Sequence, residues 1–424
     1  MEAYATVLSY AIPGFVILII IEYLMSLYMS QKIVTSMDTI SSLSSGLTNT
    51  LKEVVGLGIV IISYGWMESH LALFKIPSTF LVFIVALVLI DFASYWSHRF
   101  NHEINLMWNR HIVHHSSEEF NLACALRQSI SAVVGVYFFL YIPMAIVGIP
   151  GKVIAIIAPL HLFAQFWYHT RLINRMGFLE YILVTPSHHR VHHAINPEYI
   201  DKNYAAIFII WDKLFGTFQE ESPEIPPVYG VKKPVHTWNP ILINYQHLWQ
   251  LIKDAWRAED LWDKARIWFM PTGWRPEDVK RKYPITIIED PFSQQKYNPD
   301  IPSGLEAWSW AQLIITNLMT YHLLTHVGEL TTYSIILYVL FLFISIFAYS
   351  SLMDNDFVSL IAEFVKFGLG TYIIVSYGDW FGLSSTSHLV TPFIGLYLCA
   401  SLMLNMIFLW KTSQNRHRSL KRQV

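Results

Sequence analysis

The chain has 424 residues, of which 54% are hydrophobic and only 14% charged. Soluble domains carry about 25% charged residues, so this composition excludes an ordinary water-soluble globule and fits a polytopic membrane protein. A net charge of −2 gives no reason to expect nucleic acid, and two cysteines, Cys124 and Cys399, exclude a disulfide framework and a thiolate metal site.

A helix crosses a bilayer with roughly 20 mostly apolar residues. The opening "MEAYATVLSY" lacks a basic region and a small-residue cleavage site, so the first apolar run, 5–27, is expected to be retained. The Ser/Thr-rich stretch "TSMDTISSLSSGLTNT" at 35–50 reads as a loop. Spans are expected at 54–74, which Glu68 and His70 interrupt, and at 77–97, 130–149 and 152–168. A mixed-polarity insert, 169–306, rich in Trp, Pro and charge, reads as water-facing, with "EDPFSQQKYNPDIPSG" at 289–304 as its exit linker. Further spans follow near 307–327, 332–352, 357–377 and 388–410, ahead of the basic tail "KTSQNRHRSLKRQV".

The fold class expected is therefore all-α: a polytopic integral membrane protein of about nine transmembrane helices with a cytoplasmic, His-rich helical catalytic region. The division expected is a membrane and catalytic part over 1–306 and a C-terminal four-span region over 307–424. Lys and Arg collect in cytoplasmic loops. With nine spans, 26 of 29 basic residues share one side, while Lys75 and Lys152 fall opposite and Lys366 sits inside a span. The histidine-rich stretches lie on that basic side, which is expected to face the cytoplasm. The membrane would be the endoplasmic reticulum in a eukaryote and the inner membrane in a bacterium.

Three histidine stretches carry the chemistry. His98 and His102 stand i,i+4 where the third span emerges; "HIVHH" holds His111, His114 and His115; "SHHRVHH" holds His188, His189, His192 and His193. Helical residues three and four apart share a face, so each pattern is expected to aim imidazoles at a common point, within reach of His161 and His169. Neutral imidazole binds Zn, Cu, Fe or Ni. Eight or nine convergent histidines exceed what one ion uses, so two ions fit better. Glu-x-x-His pairs of the carboxylate-rich di-iron bundles are missing. Isolated His70, His236, His247 and His417 are expected to be no ligands, and His322 and His326 to serve helix–helix hydrogen bonding. Asp91 lies on the helical stripe of Tyr95, His98 and His102, and a carboxylate inside a span is by default functional. It is expected to take the outward N–H of a ligating histidine. Glu118 and Glu119 read as a solvated loop.

The order of these boxes resembles the fatty acid hydroxylase/sterol desaturase superfamily, integral-membrane non-haem di-iron enzymes that use O2. Two stretches, "YWSHRFNHEINLMWNRHIVHHSSEEFNLACALRQS" at 95–129 and "HTRLINRMGFLEYILVTPSHHRVHHAINPEYIDKNYAAIFIIWDKLFGTF" at 169–218, look like its pterin-dependent, ether-lipid-cleaving branch. By that resemblance the eight box ligands fall on His98, His102, His111, His114, His115, His189, His192 and His193. His169 matches an extra histidine between the second and third boxes and would be the ninth, while His188 stays open. The acidic residue after the first box falls on Glu103, and the tyrosine of "DKNYA" on Tyr204, both as catalytic candidates with Asp91.

The resemblance implies two iron ions (Fe2+), O2 and tetrahydrobiopterin, acting on an alkylglycerol of the membrane. Hydroxylation beside the ether oxygen would give a hemiacetal that releases a fatty aldehyde. A strong C–H bond demands a redox-active metal, which zinc is not. No "HPGG" motif marks a fused cytochrome b5; in the branch that the chain resembles the pterin supplies the electrons, and the places to look for it are near Glu103, Tyr204 and aromatic and acidic residues of the insert. One rival is a sterol, fatty-acyl or carotenoid hydroxylase or desaturase of the same superfamily. Another is a metal-binding or transport protein, although transport sites sit near the bilayer midplane and these boxes lie just outside the spans.

Overall fold

The computed structural model describes residues 2–56, 59–383 and 388–423. Helix α1 (Glu2–Tyr28) leads into α2 (Ser36–Val54), strand β1 (Ile59–Val60) and α3 (Tyr64–Leu71). Then come α4 (Phe80–Glu103), α5 (Asn105–Trp108), α6 (Ile112–His115), strand β2 (Val134–Gly135), α7 (Ile142–Val147) and α8 (Gly151–Phe163). The insert holds α9 (Pro186–His192), α10 (Ile210–Phe215), α11 (Pro240–Arg257), α12 (Leu261–Arg266) and α13 (Glu277–Lys282). A bundle of α14 (Leu305–His326), α15 (Thr332–Met353), α16 (Val358–Tyr377) and α17 (Val390–Gln423) closes the chain. Among the described residues the only sheet is β1 beside β2, parallel, with Ile59 opposite Val134.

The fold is mostly helical, as composition requires, and its long apolar helices suit a membrane. Among the described residues five helices are long and apolar enough to cross a membrane: Ala11–Tyr28, Phe80–Glu103, Thr332–Met353, Val358–Tyr377 and Val390–Gln414. Apolar runs 54–74, 130–149 and 152–168 do not form continuous spanning helices. The first divides into the end of α2, β1 and the eight-residue α3. In the second, β2 precedes a helix that Pro143 restarts. The third gives a helix of 13 residues, about 20 Å long at 1.5 Å per residue, against a hydrocarbon core of about 30 Å. Such irregular backbone is tolerated at membrane depth only where protein covers it. The Glu68 carboxylate accepts the Gly151 N–H at the start of α8 (2.8 Å). Gly148 turns α7 into α8 with φ +86°, where a Cβ would stand 2.0 Å from the Phe74 carbonyl oxygen. Helix α14 has the length to cross, but its buried Ser309, Gln312, Thr316 and Thr320 dilute its apolar character.

The Ser/Thr-rich stretch read as a loop is the buried helix α2. Met37, Ile40, Leu47, Leu51 and Val54 give it an apolar stripe. Its serines are tolerated inside the helix because each finds a partner across a packed surface, Ser44 also donating to the Ile40 carbonyl one turn back (2.6 Å). Ser44 bonds Tyr349 (2.6 Å), Ser41 the Trp238 carbonyl (2.8 Å), and Ser45 the Gln128 carbonyl (3.1 Å). Small residues let α2 approach its neighbours closely. It enters one hydrophobic core with Trp238 of the insert and Leu313, Leu342 and Leu398 of the C-terminal bundle.

Asp38 of α2 ties this core to the second histidine box. It pairs with the Arg127 guanidinium at 2.7 Å, both side chains being about 2% exposed, and accepts from the Ser117 hydroxyl at 2.8 Å. Arg127 also donates to Ser116, which follows His115 directly. Glu119, expected in a solvated loop, is buried between Arg171 and Lys296.

Candidate metal centre

The boxes meet in two adjacent groups. His98, His102, His111, His115 and His192 form one; His114, His169, His189 and His193 form the other; within each, one ligand atom per residue lies within 4.8 Å of all the rest. All nine histidines matched by the resemblance are therefore brought together.

Neither H-x2-H-H box serves one point. In the second box the i,i+4 pair His111 and His115 joins the first group while His114 joins the second. In the third box the i,i+4 pair His189 and His193 joins the second group while His192 crosses to the first. Helix geometry explains the exchange, because consecutive residues point about 100° apart. Two short helices, α6 and α9, thus interleave the groups. The His115 and His193 rings stack 4.2 Å apart where the groups meet.

Several ring nitrogens face one another at distances that a shared cation would reconcile. His98 Nδ1 donates to the Tyr204 carbonyl (2.7 Å), since a carbonyl only accepts. His98 Nε2 is then bare, 2.8 Å from His111 Nε2. His169 Nδ1 donates to the Gln165 carbonyl (3.0 Å), leaving its Nε2 bare at 2.8 Å from His189 Nε2 and 3.3 Å from His114 Nε2. His193 Nε2 lies 3.0 Å from His189 Nε2 as well, and one N–H cannot serve both neighbours. Metal–imidazole bonds of about 2.1 Å set adjacent ligand nitrogens about 3 Å apart around an octahedron. In the first group the His102, His115 and His192 rings make a triangle with sides of 4.7–4.8 Å, and all three Nε2 atoms are buried without a hydrogen-bond partner. Buried polar groups are paired as a rule. These lone pairs fit a metal.

Burial first, and then the neighbouring imidazoles, hold His111, His114, His115, His189 and His193 well below the ordinary histidine value; burial and His98 do the same to His192. Burial takes His169 down to about 3. These rings are neutral at pH 7, the form that ligates. Neither group contains a carboxylate. Asp201, 3.8 Å from His102 Nδ1, stands at the edge of the first group and was not anticipated.

One segment, Lys202–Tyr204, sets two tautomers. The Lys202 carbonyl accepts from His192 Nδ1 (2.9 Å) and the Tyr204 carbonyl from His98 Nδ1, so both Nε2 atoms turn inward. Asp212 holds this segment by accepting the N–H groups of Tyr204 (2.7 Å) and Ala205 (2.9 Å). Asn203 stands at φ +55° with its amide on the His188 and Gln219 carbonyls. An Asp-Lys-Asn run suited to left-handed backbone was the signal available in the sequence for this clamp; Asp212 left none.

Asp91 does not reach either group. Its buried carboxylate binds His161 Nε2 at 2.7 Å, the Ile207 and Phe208 N–H groups and the Trp211 indole. It thus acts on the backbone beyond Tyr204, and His161 serves Asp91 and not the centre. Glu103 is half-exposed and paired with Arg99 at 2.8 Å. Tyr204 packs its ring on His98, His102 and His192, and its buried hydroxyl has no hydrogen-bond partner. His188 caps α9 from outside both groups. His322 bonds the Tyr338 hydroxyl on the next helix at 3.1 Å, and the side chain of His417 lies outside the described residues.

A cavity of about 320 Å³ opens against His102, His115, His192 and His193. Trp108, Ile112, Val231 and Trp274 supply apolar walls, and Asp201, Gln250 and Thr272 polar ones. The buried Thr272 hydroxyl has no partner. His247, expected to be inert, lines this cavity while bonding the Asn105 carbonyl at 2.8 Å. Neither Glu103 nor Tyr204 is among its lining residues.

Fold and site together define a class: a helical integral membrane protein with paired, all-histidine nests that could hold metal ions, at the end of a long apolar helix. Residues 83–217 match the family model described as fatty acid hydroxylase. The chain is 38% identical over 290 residues to the alkylglycerol monooxygenase of Homo sapiens, covering 67% of this chain and 64% of that one. It is 35% identical over 314 residues to that of Xenopus tropicalis, covering 73% and 69%. Over 142 residues it is 31% identical to the ornithine lipid hydroxylase OlsE of Rhizobium tropici, covering 34% and 43%. No solved structure matches. The chain belongs to the alkylglycerol monooxygenase family, and its matched segment spans about two thirds of the length of the human and frog relatives.

Proposed function

We propose that this chain is a membrane-bound, O2-dependent monooxygenase that cleaves the ether bond of 1-O-alkylglycerols or their lyso-phospholipids. The observation that carries the reading is the pair of nests, in which buried neutral imidazoles present bare nitrogens to one another. His98, His102, His111, His115 and His192 would hold one iron, and His114, His169, His189 and His193 the other. When bound, iron supplies the O2 activation that a strong C–H bond requires, and tetrahydrobiopterin the second electron pair.

In net terms the CH2 beside the ether oxygen, O2 and the two electrons and two protons of the reduced pterin give a hemiacetal and water. The hemiacetal then breaks its C–O bond to the glycerol, its hydroxyl proton passing to the departing oxygen. A fatty aldehyde and a free glycerol hydroxyl result.

The chain's own residues do the positioning. The Lys202 and Tyr204 carbonyls hold the tautomers of His192 and His98. Tyr204 presents its free hydroxyl beside three imidazoles, placed to donate a hydrogen bond to a reacting oxygen; burial and the Asp201 charge raise its pKa, so it stays protonated. The cavity between the first nest and the insert has the size of a small-molecule pocket. Its Trp108 and Trp274 walls and free Thr272 hydroxyl suit a planar pterin. Its opening toward the insert leaves the spanning helices as the approach for the alkyl chain. The nests face the cytoplasm in this reading, since the insert beside them carries most of the chain's Lys and Arg, and the membrane is the endoplasmic reticulum or a bacterial inner membrane.

The deciding experiment is aldehyde release from an alkylglycerol by purified protein in a lipid disc, with iron and reduced pterin added or withheld. Turnover that needs both supports the reading. A hydroxylated sterol or acyl product in place of aldehyde would establish the rival within the superfamily.

A further inference from the structure

Helix α11 has two unlike faces. One faces the catalytic cavity through Gln246, His247, Gln250, Leu251 and Asp254. The opposite face exposes Leu242, Tyr245, Trp249, Ile252 and Trp256, with Trp249 59% and Trp256 85% open. Their steps of three and four residues make one continuous helical stripe. It runs on into Leu261, Trp262 and Phe269, each more than 60% exposed. A water-facing insert, as composition suggested, has no use for three tryptophans on one surface.

The anchoring of this helix says what lies opposite. Asn239, the N-cap of α11, bonds the Phe347 carbonyl (3.3 Å) and the Ser351 hydroxyl (2.8 Å) in the last turns of the spanning helix α15. His247, two turns on, bonds the Asn105 carbonyl just beyond the end of the spanning helix α4. The segment after α12 is stitched to the same place, Asn105 N–H to the Met270 carbonyl and Leu106 N–H to the Trp268 carbonyl, both 2.9 Å. A helix tied at two points to the ends of two different spans lies along the boundary of the membrane.

Trp and Tyr concentrate at that boundary because one end of each ring is apolar and the other wet. Lys253, Arg257, Lys264 and Arg266 flank the stripe, the pattern of helices that sink an apolar face into the headgroup layer. We infer that α11 and the Leu261–Phe269 segment form a monotopic platform that rests on the lipid surface, with the cavity on its upper side. The membrane thereby covers the stripe and holds the insert down over the nests.

Single cysteines replacing Trp249, Trp256 or Trp262, in full-length protein carrying Cys399→Ser, would be spin-labelled in phosphatidylcholine discs. Lys280→Cys on exposed α13 serves as the water-facing control, and native Cys124 is buried. The labels at the three tryptophan positions should collide several-fold more with O2, which dissolves in lipid, than with a water-soluble nickel chelate, relative to Lys280. Equal nickel access at all sites would overturn the platform. So would spin–spin broadening confined to discs holding two copies, which would make the stripe a dimer face. Neither readout needs turnover, so the platform stands or falls apart from the proposed reaction. In active protein, replacing the three tryptophans with Ser should raise KM for bilayer-borne alkylglycerol several-fold. Iron content and kcat should hold.

Discussion

Two polar regions of this molecule are both buried and differ in closure. In the C-terminal bundle, Lys366 and Glu363 are fully buried and pair at 2.7 Å, with Ser401 bonding both and also accepting from Gln312. There the charges compensate one another, as buried ions must. In the nests, the Nε2 atoms of His102, His115 and His192 are equally buried and have no partner. A closed polar network holds helices together; an open one waits for something to fill it. The contrast separates a structural site from a chemical one without reference to residue type.

Breaking each region tests the contrast. The largest effect on activity should follow from His115→Ala in one nest or His189→Ala in the other. Each removes a nitrogen from the group itself, so turnover should fall beyond the roughly 10–100-fold typical of losing an outer hydrogen-bond partner. Iron measured by elemental analysis should drop with it while helical content by circular dichroism persists. Full activity in either variant would remove that histidine from the centre.

In the bundle the expectation reverses. Lys366→Met strands the Glu363 carboxylate and should lower stability by about 3–5 kcal/mol, seen as earlier thermal unfolding in detergent, with iron per folded protein unchanged. Selective iron loss in this variant would erase the distinction.

A smaller effect is expected from Asp212→Asn. The amide would turn an N–H toward the Ala205 N–H and loosen the segment that sets His98 and His192. Iron affinity or turnover should weaken roughly 10–100-fold, with a change in the iron spectroscopic signature that a merely destabilised protein would not show. The smallest change in stability belongs to Tyr204→Phe, under about 1 kcal/mol, since an unpartnered hydroxyl contributes no bond to lose. A fall in kcat at unchanged iron would then report its contact with a reacting group, and an unchanged kcat would remove that role.

The sequence carried the histidines openly, because metal ligands on short helices must repeat at three and four residues. It could not say that His114 and His192 change sides. That depends on how α6 and α9 are rotated against each other, which spacing alone leaves free. Asp91 sat on the correct stripe yet serves His161 and a backbone turn, since a stripe gives direction but no partner. The serines of α2 suggested a loop because polarity was read as exposure; only packing against Tyr349, Trp238 and Gln128 shows each hydroxyl satisfied inside the core.

Composition and periodicity alone pointed to a membrane protein with helical histidine boxes suited to bind a metal, because those features rest on local spacing and on transfer of side chains between water and lipid. The tertiary structure alone decided which apolar runs form long helices, which imidazoles share a nest, and that the insert turns a tryptophan face outward. Such facts arise from contacts between residues far apart in the chain, where no local pattern records the partner.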